Sequence, residues 1–89
     1  MAIIRKSAFA GTMESSDAFV EISPAEELSI EISSIVMERF GDAIEKAVRE
    51  QLAECGVSAA KVRVADRGAL DCVIKARVET AVRRAEAEE

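Results

Sequence analysis

The chain has 89 residues, of which 49% are hydrophobic and 33% are charged, and its net charge is −5 at pH 7. A chain of this length forms a single small domain, which excludes a two-domain enzyme and leaves no room for an enclosed substrate cavity. It has no His, Trp or Tyr. It therefore lacks the usual general base and the usual surfaces for stacking nucleic acid bases, and independent acid–base catalysis is not expected.

Acidic residues are concentrated in the first part of the chain. Between Ser7 and Glu38 there are seven Asp or Glu residues and no Lys or Arg, whereas ten basic residues balance ten acidic ones from Arg39 onward. This distribution predicts an acidic face, and it disfavours nucleic acid and membrane as partners because both bind clustered positive charge. No apolar run approaches the roughly 18 residues of a membrane span, and no signal peptide is recognised, so we expect a cytoplasmic protein.

Three strands are predicted in the first third of the chain. Residues 3–10 are mainly apolar and predict a first strand, which is followed by the polar, turn-forming residues 11–17. Period-two alternation predicts two half-buried strands, over residues 19–23 and 28–33, with Pro24 between them. Because their connection is short, we expect these two strands to pair as an antiparallel hairpin.

The hydrophobic period then changes to that of an amphipathic helix. We expect this helix to be capped by Ser34 or to restart at Gly41-Asp42, and to end at Gly56 in a Schellman cap with Val57 folding back toward Leu52. Its predicted inner stripe is Val36, Phe40, Ala43, Ile44, Ala47, Val48, Leu52 and Cys55.

A short strand over residues 61–65 and a turn over residues 66–68 lead into a second amphipathic helix. Its predicted inner stripe is Leu70, Val73, Ile74, Arg77, Val78, Ala81, Val82 and Ala85. Arg77 is expected to lay its apolar stem along this stripe with its charge in solvent, and residues 85–89 are expected to fray.

The element order β-β-β-α-β-α predicts an α+β fold, a two-layer sandwich with both helices on one face of a small, mainly antiparallel sheet. Residues 1–89 are expected to form a single domain. Cys55 and Cys72 have no His with which to bind zinc, so we interpret them as buried small apolar side chains and predict no metal site.

Residues 11–17 form the only dense cluster of small, polar and hydroxyl residues outside the expected capping positions. Ser15 lies in this exposed connection beside Glu14. Without a His, the Ser15 hydroxyl cannot be activated from within the chain, but another enzyme could modify it. Taken by themselves, the residues favour a structural turn in which Ser and Asp side chains bond the local backbone.

Three sequence blocks carry a family resemblance: Gly11-Thr12-Met13-Glu14-Ser15-Ser16-Asp17, Phe40-Gly41-Asp42-Ala43-Ile44 and Asp66-Arg67-Gly68-Ala69-Leu70-Asp71-Cys72-Val73-Ile74-Lys75-Ala76-Arg77. In this order, over nearly the whole chain, they resemble the acyl carrier protein of citrate lyase, its gamma subunit. The resemblance implies that Ser15 carries 2'-(5''-phosphoribosyl)-3'-dephospho-coenzyme A through a phosphodiester bond, attached by a holo-carrier synthase.

The resemblance also implies a division of labour. The thiol of the arm carries an acetyl group, the alpha subunit (acyltransferase) exchanges acetyl for citrate, and the beta subunit (lyase) splits the citryl thioester in citrate fermentation. The carrier would then be a non-catalytic shuttle. Glu14 and Asp17 are candidates for partner recognition, since their carboxylates would repel the anionic arm and attract basic patches on partners.

Two other interpretations stay open at this point. The carrier subunit of malonate decarboxylase uses the same type of arm, although Glu14 stands where that family tends to have a glycine before the serine. A cofactor-free acidic α+β domain that binds a basic partner is the second. Lys61, Arg63 and Arg67 are either a dock for the phosphates of an arm or, as we favour, the solvated outer edge of a strand.

Overall fold

The structure is a computed structural model, and it describes residues 2–35 and 37–87. The elements are β1 (Ala8–Gly11), β2 (Ala18–Ser23), β3 (Leu28–Ser34), α1 (Met37–Glu54), β4 (Ala60–Asp66) and α2 (Asp71–Glu86). The predicted order β-β-β-α-β-α is therefore confirmed. Among the described residues, no helix is both long enough and apolar enough to span a membrane.

The strands form one mixed sheet in the order β1-β2-β4-β3. β1 pairs antiparallel with β2 and β2 pairs antiparallel with β4, whereas β3 runs parallel to β4. The predicted hairpin between β2 and β3 is wrong, because β4 lies between them. β3, α1 and β4 instead form a crossover unit, in which the intervening helix brings the next strand back parallel to the first.

Both helices cover one face of the sheet, as predicted. Alternate residues of β2 and β4 point into the core, and they are Val20, Ile22, Val62 and Val64. The helices cover them with Ile44, Val48 and Leu52 of α1 and with Ile74, Val78 and Val82 of α2. The opposite face carries Phe9, Glu21 and Arg63 and has no helix on it.

The first strand is shorter than predicted, since residues 2–7 run outside the sheet. The backbone amides of Arg5 and Lys6 donate to the carbonyl oxygen of Ala85, at 2.9 and 3.1 Å. A carbonyl in the last turn of a helix has no partner within that helix, so this segment satisfies the end of α2 instead of extending β1. Ala85 is buried and α2 continues through Glu86, so the expected fraying does not begin at residue 85; residues 88 and 89 lie outside the described part.

The cap that ends α1 is confirmed. Gly56 has a φ of 77°, and the amide of Val57 donates to the carbonyl of Leu52 at 2.9 Å while the amide of Gly56 donates to that of Ala53 at 3.0 Å. These are the two hydrogen bonds of a Schellman motif. The motif requires a left-handed backbone conformation at Gly56, which glycine adopts at no steric cost.

The helix stripes needed correction at their N-terminal ends. α1 is continuous from Met37, so it does not restart at Gly41, and the predicted stripe residue Val36 lies outside the described part. Gly41 rather than Phe40 or Ala43 faces inward, because the buried positions of the helix recur from Gly41 to Ile44 and Val48. Leu70 is exposed, since it precedes α2 with extended backbone.

The prediction that both cysteines are buried is wrong for Cys72, whereas Cys55 packs partly buried against the core. Both are free thiols; Cys55 is half-buried and Cys72 is exposed. Cys72 is the second residue of α2, whose buried side begins at Ile74, so the rotation of the helix turns Cys72 toward solvent.

Candidate functional site

Ser15 lies in a tight turn between β1 and β2. The amide of Asp17 donates to the carbonyl of Glu14 at 3.2 Å, which closes a β-turn over Ser15 and Ser16. Ser16 has a φ of 66°, the only positive value at a non-glycine residue in the described part of the chain. Ser15, at the second position of this turn, is exposed to solvent.

The carboxylate of Asp17 anchors the turn to helix α2. Arg77 donates from Nε to Oδ1 at 2.9 Å and from Nη2 to Oδ2 at 3.0 Å, a two-pronged geometry that a guanidinium and a carboxylate share. The hydrogen bonds from Arg77, and then that from Thr12, hold the pKa of Asp17 well below its usual range. The carboxylate is therefore ionised throughout the neutral range, and the turn remains fixed to the helix.

Asp17 also organises the residues on both sides of Ser15. Its Oδ2 accepts a hydrogen bond from Thr12 Oγ1 at 2.7 Å, and its Oδ1 accepts one from the amide of Ala18 at 2.7 Å. Thr12 Oγ1 in turn accepts from the amide of Glu14 at 3.2 Å. These hydrogen bonds fix the residues before and after Ser15 to one another, so the serine lies on the outer side of a defined turn.

The connection between β4 and α2 supports the same turn through the backbone. The amide of Ser16 donates to the carbonyl of Arg67 at 2.8 Å, and the amide of Arg67 donates to the carbonyl of Asp17 at 2.9 Å. The two connections therefore form one platform at the end of the sheet.

Asp66, at the last position of β4, holds that second connection in place. It is 2% exposed. Its Oδ2 accepts from Ser34 Oγ at 2.7 Å and from the amide of Gly68 at 3.1 Å, and its Oδ1 accepts from the amide of Ala69 at 2.9 Å. A buried carboxylate requires such partners, and these three join the ends of β3, β4 and the start of α2.

Gly11 allows β1 to reach the turn beside Ala18. Its φ is 95°, and a Cβ atom here would overlap the carbonyl oxygen of Ala18 and press on the Arg77 stem. Any side chain at this position would therefore displace both the start of β2 and the arginine that anchors the turn.

The chemistry available at this turn is that of an acceptor. Asp17 is occupied by Arg77 and its lowered pKa makes it a poor base, so it cannot activate the hydroxyl of Ser15. Across the described residues, no group of three or more metal-ligating side chains is present. An exposed serine on a fixed turn does fit the covalent attachment of a large group, because its side chain lies at the solvent-facing side of the turn.

The predicted site residues Glu14, Ser15 and Asp17 lie together, but the first part of the chain does not form a single acidic face. Asp17 is paired with Arg77, and Glu31 lies 3.5 Å from Arg63 on the open face of the sheet, where Glu21 is opposite Arg63 in register. Arg63 therefore belongs to a mixed-charge surface.

The sequence did not predict the residues outside the Glu14–Asp17 turn that hold this turn in place. Arg77 was expected to extend into solvent, and no role was assigned to Thr12, Asp66 or the backbone of Arg67. A basic residue within the apolar stripe of a helix was the signal for Arg77, since such a residue needs a partner when it lies against the core. The backbone bonds of Arg67 had no signal in the sequence.

Comparison with known proteins identifies the class. A family model described as ACP, malonate decarboxylase delta subunit (MdcD), matches residues 5–85. The chain is therefore an acyl carrier protein by class. The citrate lyase acyl carrier protein of Haemophilus influenzae (strain PittEE) is 56% identical over 82 residues, covering 92% of this chain and 86% of the relative. That of Treponema denticola is 50% identical over 82 residues, covering 92% and 94%. The chain belongs to the citrate lyase acyl carrier protein family.

A solved structure shows the same fold. One chain in the crystal structure of a Pseudomonas malonate decarboxylase hetero-tetramer in complex with malonate matches with a TM-score of 0.77 at 22% sequence identity, covering 94% of this chain and 91% of that one. Membership of an acyl carrier family implies a prosthetic arm and a place in a multi-subunit complex.

Proposed function

We propose that this protein is the acyl carrier subunit of a citrate lyase and that Ser15 is the attachment point of its arm. The observation that carries the proposal is the exposed position of Ser15 on a turn that Asp17 and Arg77 fix to the fold. The 50% and higher identity to relatives named citrate lyase acyl carrier protein supports it.

The proposed arm is 2'-(5''-phosphoribosyl)-3'-dephospho-coenzyme A, whose thiol carries the acyl group as a thioester. Ser15 Oγ would attack a phosphorus atom of an activated donor of the arm, so that the P–O bond of the phosphodiester link forms as the phosphate leaving group of the donor departs. Because Asp17 is a poor base, the proton of that hydroxyl must leave to a base of the holo-carrier synthase. The carrier holds the hydroxyl outward for that enzyme and contributes no catalytic group of its own.

The proposed partners are the alpha subunit, an acyltransferase, and the beta subunit, a lyase, in the cytoplasm. Between them the arm would carry acetyl and citryl thioesters as citrate is cleaved to oxaloacetate and acetate. A carrier needs a stable base and one outward attachment point, and the turn that Asp17 and Arg77 fix to the fold would supply both.

Of the two acids proposed for partner recognition, Glu14 is the stronger candidate. It is exposed beside Ser15, whereas the carboxylate of Asp17 is largely buried against Arg77. Reversing the charge with Glu14→Lys should slow acyl transfer at low salt and do so less at high salt, because salt screens exposed charges. Equal transfer rates at low salt would argue against recognition through Glu14.

The mass of the intact protein from its native host tests the main proposal. In cells that are cleaving citrate, the mass should exceed that of the bare chain by one arm, and Ser15→Ala should abolish the increment. Ser16→Gly is the matched control, since it alters the neighbouring hydroxyl while permitting the positive φ of that position; it should keep the increment. A native mass equal to that of the bare chain would sink the proposal.

A malonate decarboxylase carrier is the second candidate, favoured by the description of the family model and by the matching fold. The two are separated by mixing the loaded carrier with the larger subunits of each enzyme. Citrate-dependent release of oxaloacetate is the expected result, whereas malonate-dependent release of carbon dioxide alone would establish the alternative.

A further inference from the structure

The open face of the sheet carries two of the three aromatic side chains of the chain. Phe9 and Phe19 pack together there, with their ring centroids 5.4 Å apart and their planes tilted by 34°. Phe19 lies on β2, between β1 and β4, and Phe9 lies on β1. Phe9 therefore holds the Phe19 ring from the β1 side and leaves the side toward β4 open.

A slot of about 180 Å³ lies on that open side of Phe19. We call it the Phe19 slot, and its side chains on the open face include Phe19, Ser33, Arg63 and Ala65. The sheet register explains the space, because Phe19 is opposite Ala65 and Ala65 is opposite Ser33. One large side chain is thus followed across the sheet by two small ones. An apolar cavity of about 150 Å³ holds one benzene molecule, so the slot has room for one planar ring system.

The spacing of the two large side chains of the slot matches a ring stacked between them. Phe19 is opposite Ala65, so Arg63 is its diagonal neighbour on the same face, and such neighbours are about 7–8 Å apart. A planar ring with a side chain against each face needs about 3.5–4.0 Å on either side. Phenyl rings and guanidinium groups both stack on flat heterocycles. The Phe19 slot is therefore suited to hold a flat heterocycle between Phe19 and Arg63.

The charges around the slot favour a neutral ring over a phosphate. Glu21 and Glu31 line the slot together with Arg63, and Glu31 lies 3.5 Å from the guanidinium of Arg63. Two carboxylates against one guanidinium repel a phosphate, whereas a carboxylate accepts a hydrogen bond from an amino group on a heterocycle. Adenine, a neutral planar ring with one amino group, has the chemistry that this slot would recognise.

The slot lies toward the end of the sheet that bears Ser15. Phe19 is opposite Gly11, the last residue of β1. Phe19 also follows Ser15 by four positions, so the Cα atoms of the two residues are at most about 14 Å apart. A group attached to Ser15 is therefore close to the Phe19 slot.

We propose that the Phe19 slot binds the adenine ring of the arm attached to Ser15. This inference rests on the proposed function, in which one phosphate and two riboses separate Ser15 Oγ from that ring. So short a link keeps the adenine near the slot and raises its effective concentration there. Binding would divide the arm into two parts: the adenine end stays on the domain, and the diphosphate and the thiol-bearing chain beyond it stay free to reach the partner enzymes.

The test uses NMR on the full chain, loaded with its arm in the native host and verified by intact mass. Free 3'-dephospho-coenzyme A is the reference. In the loaded wild type, the ring protons of adenine should shift upfield from their positions in the reference, because they lie over the face of Phe19. They should also show nuclear Overhauser contacts to the Phe19 ring and to the methyl group of Ala65.

Two variants change the slot in different ways. Phe19→Leu removes the aromatic wall, and Ala65→Val fills the space beside it, so each should abolish the upfield shift and the contacts. Phe40→Leu is the matched control for the first, since Phe40 is an exposed phenyl ring on α1. Ser23→Val is the control for the second, since Ser23 lies on the same face of the sheet outside the slot. Both controls should keep the wild-type adenine signals.

The outcomes separate this inference from the proposed function. A chain without the mass increment refutes the role of Ser15, and the adenine site with it. Loaded wild type whose adenine signals match the free nucleotide refutes the adenine site alone. An upfield shift that survives Ala65→Val places the ring elsewhere and also overturns the proposal; Ala65 is outside the core, so this variant decides the matter even if Phe19→Leu fails to fold. Free adenine signals, with amides of the slot that shift only when a larger subunit is added, would assign the slot to a protein contact instead.

Discussion

Asp17 and Arg77 lie 60 positions apart in the chain, and the guanidinium of Arg77 binds the carboxylate of Asp17 through two hydrogen bonds of 2.9 and 3.0 Å. The pair joins the turn that carries Ser15 to the middle of helix α2. The proposed attachment of an arm at Ser15 requires this turn to be held firmly against the domain, and the ion pair holds it there.

The first prediction concerns the rigidity of the turn. Arg77→Met keeps the apolar stem of the side chain and removes both hydrogen bonds to Asp17, so the amides of Ser16 and Arg67 should exchange with solvent faster. The amides of Val62 and Val64 in the central strand should keep their protection, because the sheet does not depend on this pair. Hydrogen exchange followed by NMR measures both.

Arg83→Met is the control for this experiment, since Arg83 forms an exposed pair with Glu79 on the same helix at 2.9 Å. Exposed pairs of this kind contribute little, so Arg83→Met should leave the exchange of Ser16 unchanged. Equal protection of Ser16 in the wild type and in Arg77→Met would contradict the anchoring role.

The second prediction concerns pH. The pKa of Asp17 is lowered in the folded state by its hydrogen bonds from Arg77 and Thr12, relative to about 3.9 in an unfolded chain. A lowered pKa stabilises the fold at every pH above the unfolded value, and this contribution is lost as the pH falls toward the folded value.

The free-energy difference between wild type and Asp17→Asn should therefore be constant from about pH 5 to 8 and should shrink below about pH 4. Urea denaturation over this range measures the difference. Ser15→Ala removes no titrating group and should show no such change. If the free energy of unfolding of the wild type instead rose relative to that of Asp17→Asn on acidification, the pKa of Asp17 could not be lowered in the folded state.

The third prediction compares two glycines with similar backbone angles. Gly11 and Gly68 have φ values of 95° and 91°. A Cβ atom at Gly11 would overlap the carbonyl of Ala18, whereas at Gly68 its closest neighbour would be a side-chain carbon of Ile35 at 3.8 Å. Gly68→Ala should therefore cost about 1–2 kcal/mol from backbone strain alone, and Gly11→Ala roughly 3 kcal/mol or more because the overlap is added. Chemical denaturation that gives equal costs would show that the close approach at Gly11 relaxes freely.

The fourth prediction concerns the buried carboxylate of Asp66. Asp66→Ala leaves the amides of Gly68 and Ala69 and the hydroxyl of Ser34 without this acceptor, and should lower the free energy of unfolding by roughly 3 kcal/mol. Ser34→Ala removes only one of the three donors and should cost about 1 kcal/mol. The two variants are compared by urea denaturation at neutral pH, and a larger effect of Ser34→Ala would show that Asp66 is not the centre of this network.

The wrong prediction of a hairpin between β2 and β3 shows what local sequence patterns cannot determine. Period-two alternation located β2 and β3, because the residues on their inner faces are apolar whichever strand lies beside them. Pairing depends on which strand occupies the adjacent position, and β4 enters between them from 26 residues beyond the end of β3. The short connection after Ser23 suggested a hairpin between β2 and β3. In the structure, β4 pairs with β2 along one edge and with β3 along the other, and so separates these two strands.

The candidate site divides in the same way. Ser15 and its turn were predictable, since small and hydroxyl residues in an exposed connection are a local feature, and the resemblance to a carrier family rests on adjacent residues. The role of Asp17 could be predicted only in part. Its negative charge suggested recognition of a partner protein, whereas its ion pair with Arg77 on α2 has no local signal in the sequence. Cys72 was placed wrongly, as the rotation of α2 is set by the core it covers.

The sequence by itself determined a small α+β domain without His and with Ser15 in an exposed polar connection, because composition, periodicity and adjacent residues carry that information. The tertiary structure alone decided the order of the strands, the pairing of Asp17 with Arg77, and the meeting of the β1–β2 and β4–α2 connections beside Ser15. These relations depend on long-range packing, which brings together residues whose separation in the chain leaves no local pattern.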